Sequence, residues 1–142
     1  MNIKPYKRTV NYYETDRMGI VHHTNYIRYF EEARIDFMHQ IECDVKMMED
    51  RGLIIPNIDA YAKYIKSLKF GDEFYVIIKP VSFTGVRMKF EYEIRFLEND
   101  ELSATGFTTH CFVNSNQKPI TAKRTHPDIF KNLNDSVEYF KD

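Results

Sequence analysis

One eleven-residue stretch limits the folds open to this chain more than any other. From Val86 to Phe96, apolar and charged residues alternate without interruption. A period of two is typical of a β-strand with one face on a hydrophobic core and the other toward water or a ligand. The stretch therefore predicts an antiparallel sheet, and its neighbours along the chain should supply the other strands.

Further strands are predicted on both sides of this segment, at residues 6–13, 59–69, 73–79 and 102–113. Their residues are rich in β-branched and aromatic types, and turn signals such as Gly71 and Gly85 separate them. Shorter helical segments are predicted at residues 45–51 and 127–133. A length of 142 residues favours a single domain over residues 1–142.

A segment that precedes most of these strands has a different hydrophobic periodicity. Apolar residues recur at steps of three or four, at Tyr26, Phe30, Ala33, Phe37 and Ile41. This pattern predicts an amphipathic helix from about residue 25 to residue 41, roughly 25 Å long, with Thr24 or Asn25 as its N-cap. One long helix followed by antiparallel strands gives an α+β class. Because one helix cannot cover both faces of such a sheet, we expect a second subunit to meet the uncovered face or edge.

A short polar turn joins the first strand to the long helix. It contains one acid, Asp16, a glycine, Gly19, and two adjacent histidines, His22 and His23. A helix N-terminus is electropositive, so the turn places an acid and two imidazoles beside a natural anion-binding group. A carboxylate there can deprotonate a water or attack a carbonyl carbon. The ligands are too few and too close in sequence for a zinc site.

The composition excludes several classes of protein. A net charge of -1 argues against a nucleic-acid-binding domain, which would be strongly basic. The first residues lack the apolar segment of a signal peptide, and no apolar run reaches the roughly 18 residues of a membrane span. Cys43 and Cys111 lack metal-type spacing and are expected to be free thiols. We therefore expect a cytoplasmic protein with no membrane insertion.

The turn and the helix together resemble a known signature. The residues that carry it are Tyr13, Asp16, Gly19, Val21, His23, Tyr26, Phe30, Glu31 and Arg34. Their spacing is similar to that of the hotdog-fold acyl-CoA thioesterases, in the branch that resembles 4-hydroxybenzoyl-CoA thioesterase. The resemblance extends over nearly the whole chain. It implies an antiparallel sheet wrapped around one long central helix, and a homodimer or homotetramer with active sites at the subunit interface.

The resemblance also implies roles for residues of the turn. Asp16 matches the catalytic aspartate, as general base or nucleophile, and His23 matches a histidine of the following turn. A backbone amide near His23 matches the group that polarises the thioester carbonyl. The residues expected to contact the substrate nearby are Gly19, Val21, His22 and Tyr26. The implied substrate is an acyl-CoA or acyl-carrier-protein thioester, and the implied reaction needs no metal or redox cofactor, coenzyme A being part of the substrate.

Basic and aromatic residues outside the motif complete the candidate site. Arg87 and Lys89 share one strand face and are candidates to bind the phosphates of coenzyme A, although a solvated strand face is the simpler alternative. Further candidates for this role are Lys63, Lys66, Lys69, Lys123 and Arg124. Aromatic residues that could line an acyl pocket or the core are Tyr12, Tyr13, Tyr26, Phe30, Tyr61 and Tyr64. Glu31 is expected to be exposed and paired with Arg28 or Arg34, unless it faces the substrate.

Two other functions fit the same fold. A hydratase or dehydratase acting on acyl thioesters would use the acid and a histidine as a proton-transfer pair. A non-enzymatic module would bind acyl thioesters, or a partner protein, without turnover. Release of free thiol distinguishes hydrolysis from both.

Overall fold

The protein is built around one five-stranded antiparallel sheet. The computed structural model describes residues 1–141. The strands are β1 (Tyr6–Thr9), β2 (Asn57–Tyr64), β3 (Glu73–Phe83), β4 (Arg87–Phe96) and β5 (Leu102–Cys111). They lie in the order β1-β3-β4-β5-β2, so the first two strands in sequence form the two edges of the sheet.

Within residues 1–141, four helices and one 3-10 helix accompany the sheet. They are α1 (Thr24–Gln40), α2 (Val45–Asp50), α3 (Ala122–Thr125), α4 (Pro127–Tyr139) and the 3-10 helix Tyr12–Glu14. The long helix α1 packs on the sheet and buries one face of itself, which confirms the α+β class and the central helix. No helix in residues 1–141 has the length and apolar character needed to cross a membrane.

Strand β4 shows why the alternating sequence folds as predicted. Its apolar residues Met88, Phe90, Tyr92 and Ile94 are all buried, whereas the charged residues between them are exposed or half-buried. Each fully buried apolar side chain of this size contributes about 1.5–3 kcal/mol. The ring of Phe30 on α1 stacks on Tyr92 with ring centroids 4.4 Å apart. The inner face of the sheet is therefore the core, as the period of two indicates.

Gly106 on β5 lets α1 approach the sheet closely. A Cβ atom at this position would lie 2.4 Å from the ring of Phe30 and 2.3 Å from the carbonyl oxygen of Tyr61. Both distances are far below van der Waals contact, and one of these groups is backbone that cannot turn aside. The contact between helix and sheet thus depends on a residue without a side chain.

Helix α4 adds a second layer at one end of the core. Its Phe130 packs against Phe83 of β3 with centroids 5.1 Å apart, and Phe140 beyond its end lies 6.2 Å from Phe37 of α1. The helix extends past the predicted end at residue 133, because Ser136 and Val137 continue its buried face.

The first predicted strand is wrong beyond Thr9. Residues Tyr12–Glu14 form a 3-10 helix instead of continuing β1. The cause is Glu14, whose side chain accepts a hydrogen bond of 2.8 Å from the Asn11 amide and closes a capping box there. The aromatic residues Tyr12 and Tyr13 favour a strand by propensity, but this local bond turns the chain.

Two other strand boundaries differ from the prediction by four residues or more, whereas the remaining differences are one or two residues. Strand β2 ends at Tyr64, well before residue 69, because the amides of Ile65 and Lys66 both turn to donate to the carbonyl of Ser103. Strand β3 continues beyond residue 79 to Phe83. A register shift just after Pro80 accommodates the proline, which has no amide hydrogen to donate.

Strand β2 is the more exposed edge of the sheet. It pairs with β5 on one side, and within the described residues no strand pairs with its other side. Seven of its eight residues are exposed and the eighth is half-buried. Large apolar side chains are exposed on β2 and just beyond it, at Ile58, Tyr61, Tyr64 and Ile65. An open edge with such residues offers unpaired backbone groups to another chain.

Candidate active site

A small backbone hairpin presents Asp16 at the start of α1. Thr15 pairs with Val21, and the Asp16 amide donates to the carbonyl of Ile20 over 2.8 Å. The Gly19 amide closes the turn by donating a hydrogen bond to the carbonyl of Asp16. Gly19 has a φ of +78°, which only glycine adopts at little cost. The hairpin is fixed by its own backbone, so the position of Asp16 is well defined.

The carboxylate of Asp16 is half-buried and partly free. Its Oδ1 accepts a hydrogen bond of 2.8 Å from the Met18 amide, a local bond typical of aspartate in turns. Its Oδ2 has no hydrogen-bond partner within residues 1–141. One oxygen therefore orients the group, and the other is available to a water molecule or a substrate.

The first turn of α1 leaves one backbone donor open. Neither Thr24 nor Asn25 caps the helix through its side chain, so that prediction is wrong. The Thr24 amide instead donates to Nδ1 of His22 over 3.3 Å, and the Asn25 side chain donates to the carbonyl of Glu14 over 2.9 Å. The His23 amide has no hydrogen-bond partner in the described part of the chain. An electropositive helix end with a free N–H group is suited to stabilise negative charge.

The two adjacent histidines have different surroundings. Their rings stack with centroids 4.2 Å apart. The ring of His22 is engaged at the helix start, where Nδ1 also lies 2.8 Å from the Thr24 hydroxyl. The ring of His23 is exposed, and its backbone carbonyl accepts a hydrogen bond from the hydroxyl of Tyr64. The imidazole of His23 is thus the freer of the two.

A network that we call the charged cluster (Tyr6, Arg8, Glu14, Tyr29 and Glu32) holds the hairpin against α1. Arg8 pairs with Glu14 at 2.6 Å and with Glu32 at 3.0 Å, and its guanidinium lies 4.9 Å from the ring centre of Tyr29. Tyr6 donates to Glu32 over 3.0 Å. Burial, followed by the charge of Glu32, raises the pKa of Tyr6 to about 12. No local spacing in the sequence indicates this cluster, because its members come from β1, the 3-10 helix and α1.

A cavity of about 280 Å³ lies further along α1, between that helix, α2 and the start of β2. Its walls are mostly apolar and include Ile35, Met38, Met48, Leu53 and Phe90. Four polar residues also line it, namely Glu31, Arg34, Glu49 and Asn57. A mostly apolar cavity with a few polar groups is the usual form of a small-molecule pocket.

Several of the predicted substrate contacts are either buried in the core or distant from Asp16. Val21 and Tyr26 are each 3% exposed and lie in the core behind the hairpin. Arg87 pairs with Cys111 and Lys89 with Thr109, at the end of the sheet that is opposite to Tyr64 and the hairpin. Within one chain, these two basic residues are therefore not brought to Asp16.

The aromatic residues of the predicted acyl pocket divide into two groups. Phe30 belongs to the core, and Tyr64 packs edge-on against Tyr26 with centroids 5.0 Å apart. Tyr12 and Tyr13, in the 3-10 helix that precedes the hairpin, are more than three-quarters exposed. They form an exposed aromatic rim beside the hairpin.

Glu31 is exposed, as predicted, but the predicted ion pair is wrong. Arg28 donates instead to the side chain of Asn25 over 3.5 Å, and Arg34 donates to the hydroxyl of Tyr92 over 3.0 Å. Among residues 1–141, no group of three or more His, Cys, Asp or Glu side chains is arranged to hold a metal ion.

Comparison with known proteins identifies the family. A family model described as the thioesterase-like superfamily matches residues 10–133. This chain belongs to that superfamily. The match covers the hairpin, α1 and the whole sheet from β2 to β5. The narrower likeness to 4-hydroxybenzoyl-CoA thioesterase stays a prediction.

Relatives and solved structures agree with this assignment. A 1,4-dihydroxy-2-naphthoyl-CoA hydrolase of Thermosynechococcus vestitus is 30% identical over 109 residues, which are 76% of this chain and 74% of that protein. The structure of a DHNA-CoA thioesterase from Staphylococcus aureus is 30% identical, has a TM-score of 0.88 and covers 95% of this chain and 90% of its own. A protein from Aquifex aeolicus is 34% identical, has a TM-score of 0.82 and covers 90% of this chain and 99% of its own.

Proposed function

We propose that this protein hydrolyses acyl-CoA thioesters, with Asp16 as general base or nucleophile. The observation that carries the proposal is that a hairpin with a partly free carboxylate leads directly into a helix start with an unpaired amide. As a base, Asp16 takes a proton from the water that attacks the thioester carbonyl. The C–S bond then breaks and the coenzyme A thiolate leaves. A thiolate is a good leaving group, so little acid catalysis is needed.

The His23 amide is proposed to bind the oxygen of the thioester carbonyl. Negative charge develops on that oxygen as the tetrahedral intermediate forms. One preorganised donor of this kind is worth about 3 kcal/mol in the transition state. The helix end adds a favourable electrostatic term in the same place. The backbone of His23 thus has the clearer role, while its imidazole borders the site.

Free-thiol release from a panel of short, long and aromatic acyl-CoA esters tests the role of Asp16. We expect Asp16→Asn to lower kcat by about a hundredfold or more, the scale of a lost catalytic base. Asp44→Asn is the matched control, because Asp44 likewise accepts a backbone hydrogen bond, from the Met47 amide at the start of the short helix α2. Its other oxygen contacts the exposed ring of His39. Equal rates for Asp16→Asn and wild type would refute the proposal.

Two substitutions at His23 distinguish the role of its backbone amide from the role of its imidazole ring. His23→Ala removes the imidazole and keeps the amide, whereas His23→Pro removes the amide hydrogen. The φ of His23 is -55°, close to the angle that proline imposes, so the backbone can accept the change. We expect His23→Pro to lose about a hundredfold in kcat, and His23→Ala to lose less than about tenfold. The reverse order would assign the function to the ring.

The two other candidate functions give different outcomes with the same panel. A hydratase would release no thiol but would change the absorbance of an enoyl thioester. A non-enzymatic module would bind esters without turnover, and Asp16→Asn would leave that binding unchanged.

We propose further that the active form is a homodimer joined along β2, alone or within a homotetramer. The support is the open edge of β2 and its exposed apolar residues. Antiparallel pairing with a second copy would set the Tyr64 end of one strand beside the Asn57 end of the other. The hairpin of one subunit would then face the cavity of its partner. Arg87 and Lys89 lie toward the Asn57 end of the sheet, so the same pairing brings them toward coenzyme A.

Sedimentation velocity tests the dimer. Tyr61→Lys places a charge on the edge strand, which is a common means of preventing edge pairing. We expect the variant to sediment as a monomer and to lose activity together with the dimer. A wild-type protein that is active as a monomer would contradict the proposal.

A further inference from the structure

Four polar side chains form a continuous line from the cavity into the core, and we call them the polar chain (Arg34, Tyr92, Thr108 and His110). Arg34 donates to the hydroxyl of Tyr92 over 3.0 Å, and this hydroxyl lies 2.6 Å from that of Thr108. The Thr108 hydroxyl lies 2.8 Å from Nε2 of His110. Tyr92, Thr108 and His110 are all buried, so only Arg34 reaches the cavity.

The chemistry of Arg34 fixes the direction of the first hydrogen bond in the polar chain. A guanidinium can only donate, so the hydroxyl of Tyr92 accepts from Arg34. Either hydroxyl can be the donor between Tyr92 and Thr108, and the direction of the bond between Thr108 and Nε2 of His110 depends on the tautomer of the ring. Burial, followed by the charge of Arg34, lowers the pKa of His110 to about 4 and keeps the ring neutral at neutral pH.

The polar chain orients a single group, the guanidinium of Arg34. Burying polar side chains costs free energy, and their hydrogen bonds do no more than offset that cost. Packing alone therefore does not favour a row of polar side chains in the core. Arg34 also donates to the side chain of Asn57 over 3.3 Å, on the far side of the guanidinium. Bonds from both sides fix the plane of this group at the cavity wall.

The positive charge of Arg34 is not neutralised inside the protein. Within residues 1–141, no carboxylate lies within ion-pair distance of it, although Glu31 and Glu49 line the same cavity. Two of its five N–H donors are used by Tyr92 and Asn57. A fixed guanidinium with free donors at an apolar wall suits an oxygen atom of a ligand, because arginine binds oxygen acceptors with defined geometry.

We propose that Arg34 determines acyl specificity by binding an oxygen atom at the end of the acyl group distal to the thioester. The preferred substrates then carry a distal hydroxyl, keto or carboxylate group, whereas hydrocarbon acyl groups of equal size are poorer. The inference rests on the proposed thioesterase function and names the acyl class for it. In the dimer joined along β2, the cavity that holds the acyl group belongs to the partner of the subunit that supplies Asp16.

Matched pairs of esters test the proposal, and the quantity compared is the ratio of kcat/KM for the two members of each pair. The pairs are hexanoyl-CoA with adipoyl-CoA, and benzoyl-CoA with 4-hydroxybenzoyl-CoA. For wild type we expect kcat/KM to be at least tenfold higher for the oxygen-bearing member of one pair. Arg34→Met should abolish that preference, because the oxygen-bearing member loses more in kcat/KM than the hydrocarbon member. Tyr92→Phe, which frees Arg34 on one side, should reduce the preference in part.

Arg95→Met is the control for loss of a guanidinium, because Arg95 bonds Glu93 on the outward face of the sheet. It should keep the wild-type ratio. The inference is overturned if wild type favours the hydrocarbon members, or if Arg34→Met slows all esters equally. In either case, release of thiol would still support the thioesterase proposal. Binding of the corresponding non-hydrolysable thioethers provides the ratio without turnover. If no ester is cleaved, the thioesterase proposal fails. The role of Arg34 fails separately if Arg34→Met leaves the ratio of the two thioether dissociation constants unchanged.

Discussion

The charged cluster and the polar chain flank the same helix, yet they do different things. The charged cluster joins β1, the 3-10 helix and α1 through full charges, and it fixes a segment of backbone, the hairpin of Asp16. The polar chain is neutral beyond Arg34, and it fixes one side chain. The position of the hairpin thus depends on ion pairs, whereas the orientation of the Arg34 side chain depends on hydrogen bonds to uncharged side chains. The two should respond differently to substitution and to pH.

The largest effect is expected when the charged cluster loses its cation. Arg8→Met leaves the buried carboxylate of Glu14, which is 5% exposed, without its ion partner. We expect the free energy of unfolding to fall by about 4 kcal/mol, measured by urea denaturation, because an unpaired buried charge is costly. The double variant Arg8→Met/Glu14→Gln removes that charge and should recover most of the loss. Arg51→Met, which breaks an exposed pair with Asp128, should change stability little. If both single variants behave alike, the cluster is no different from a surface pair.

The second effect is a pH dependence that belongs to the polar chain. The pKa of His110 is about 4 in the folded protein and 6.5 ordinarily, so the unfolded chain takes up its proton first as the pH falls. Stability should therefore decrease between pH 6.5 and pH 4, by about 3 kcal/mol, and this contribution should be constant outside that window. Urea denaturation of wild type and His110→Gln across this range measures it as the difference in slope. Parallel curves would show that His110 is protonated as easily in the folded state.

A smaller effect is expected when the polar chain is interrupted without a change of shape. Thr108→Val is nearly isosteric and leaves both the hydroxyl of Tyr92 and Nε2 of His110 without their shared partner. We expect a loss of about 2 kcal/mol in the free energy of unfolding. Tyr92→Phe/Thr108→Val removes one of the stranded groups and should be less destabilised than the sum of the single variants. Additive losses would mean that the two bonds act independently.

The smallest effect is expected at the tip of the hairpin. Gly19 has a φ of +78°, but a Cβ atom there would meet no other atom within 4 Å. Gly19→Ala should therefore cost only the strain of the left-handed backbone, about 1 kcal/mol. Thermal denaturation gives the stability, and thiol release shows whether the position of Asp16 is kept. A loss as large as that of Arg8→Met would place the control of the hairpin in its tip.

The sequence predicted what depends on short-range pattern. The period of two in β4, the period of the long helix and the turns at Gly71 and Gly85 all follow from local chemistry, and the structure confirms them. The motif also placed Asp16 and Gly19 in one turn at the start of α1. Their proposed roles in catalysis stay predictions.

What the sequence did not predict depends on partners distant in the chain. Asn25 seemed a natural cap for α1, but its side chain bonds the carbonyl of Glu14 on the opposite arm of the hairpin. Arg34 was expected to pair with Glu31 one turn away, but it bonds Tyr92 on β4. His110 carried no signal at all, because a lone histidine in a strand gives no indication of what its ring will meet.

The order of the strands has a consequence for how the chain folds during synthesis. Helix α1 leaves the ribosome before any of the three central strands that bury it, and β1 must wait for β3 before Tyr6 can pair with Val76. Strand β2 pairs later still during synthesis, since its partner in the described part of the chain is β5. Such non-local pairings form slowly and leave apolar surface uncovered meanwhile. A nascent chain that ends before residue 87 lacks β4, whose Tyr92 and Phe90 cover Phe30 and Phe37 of α1 in the finished protein. This intermediate is more open to aggregation than the finished protein.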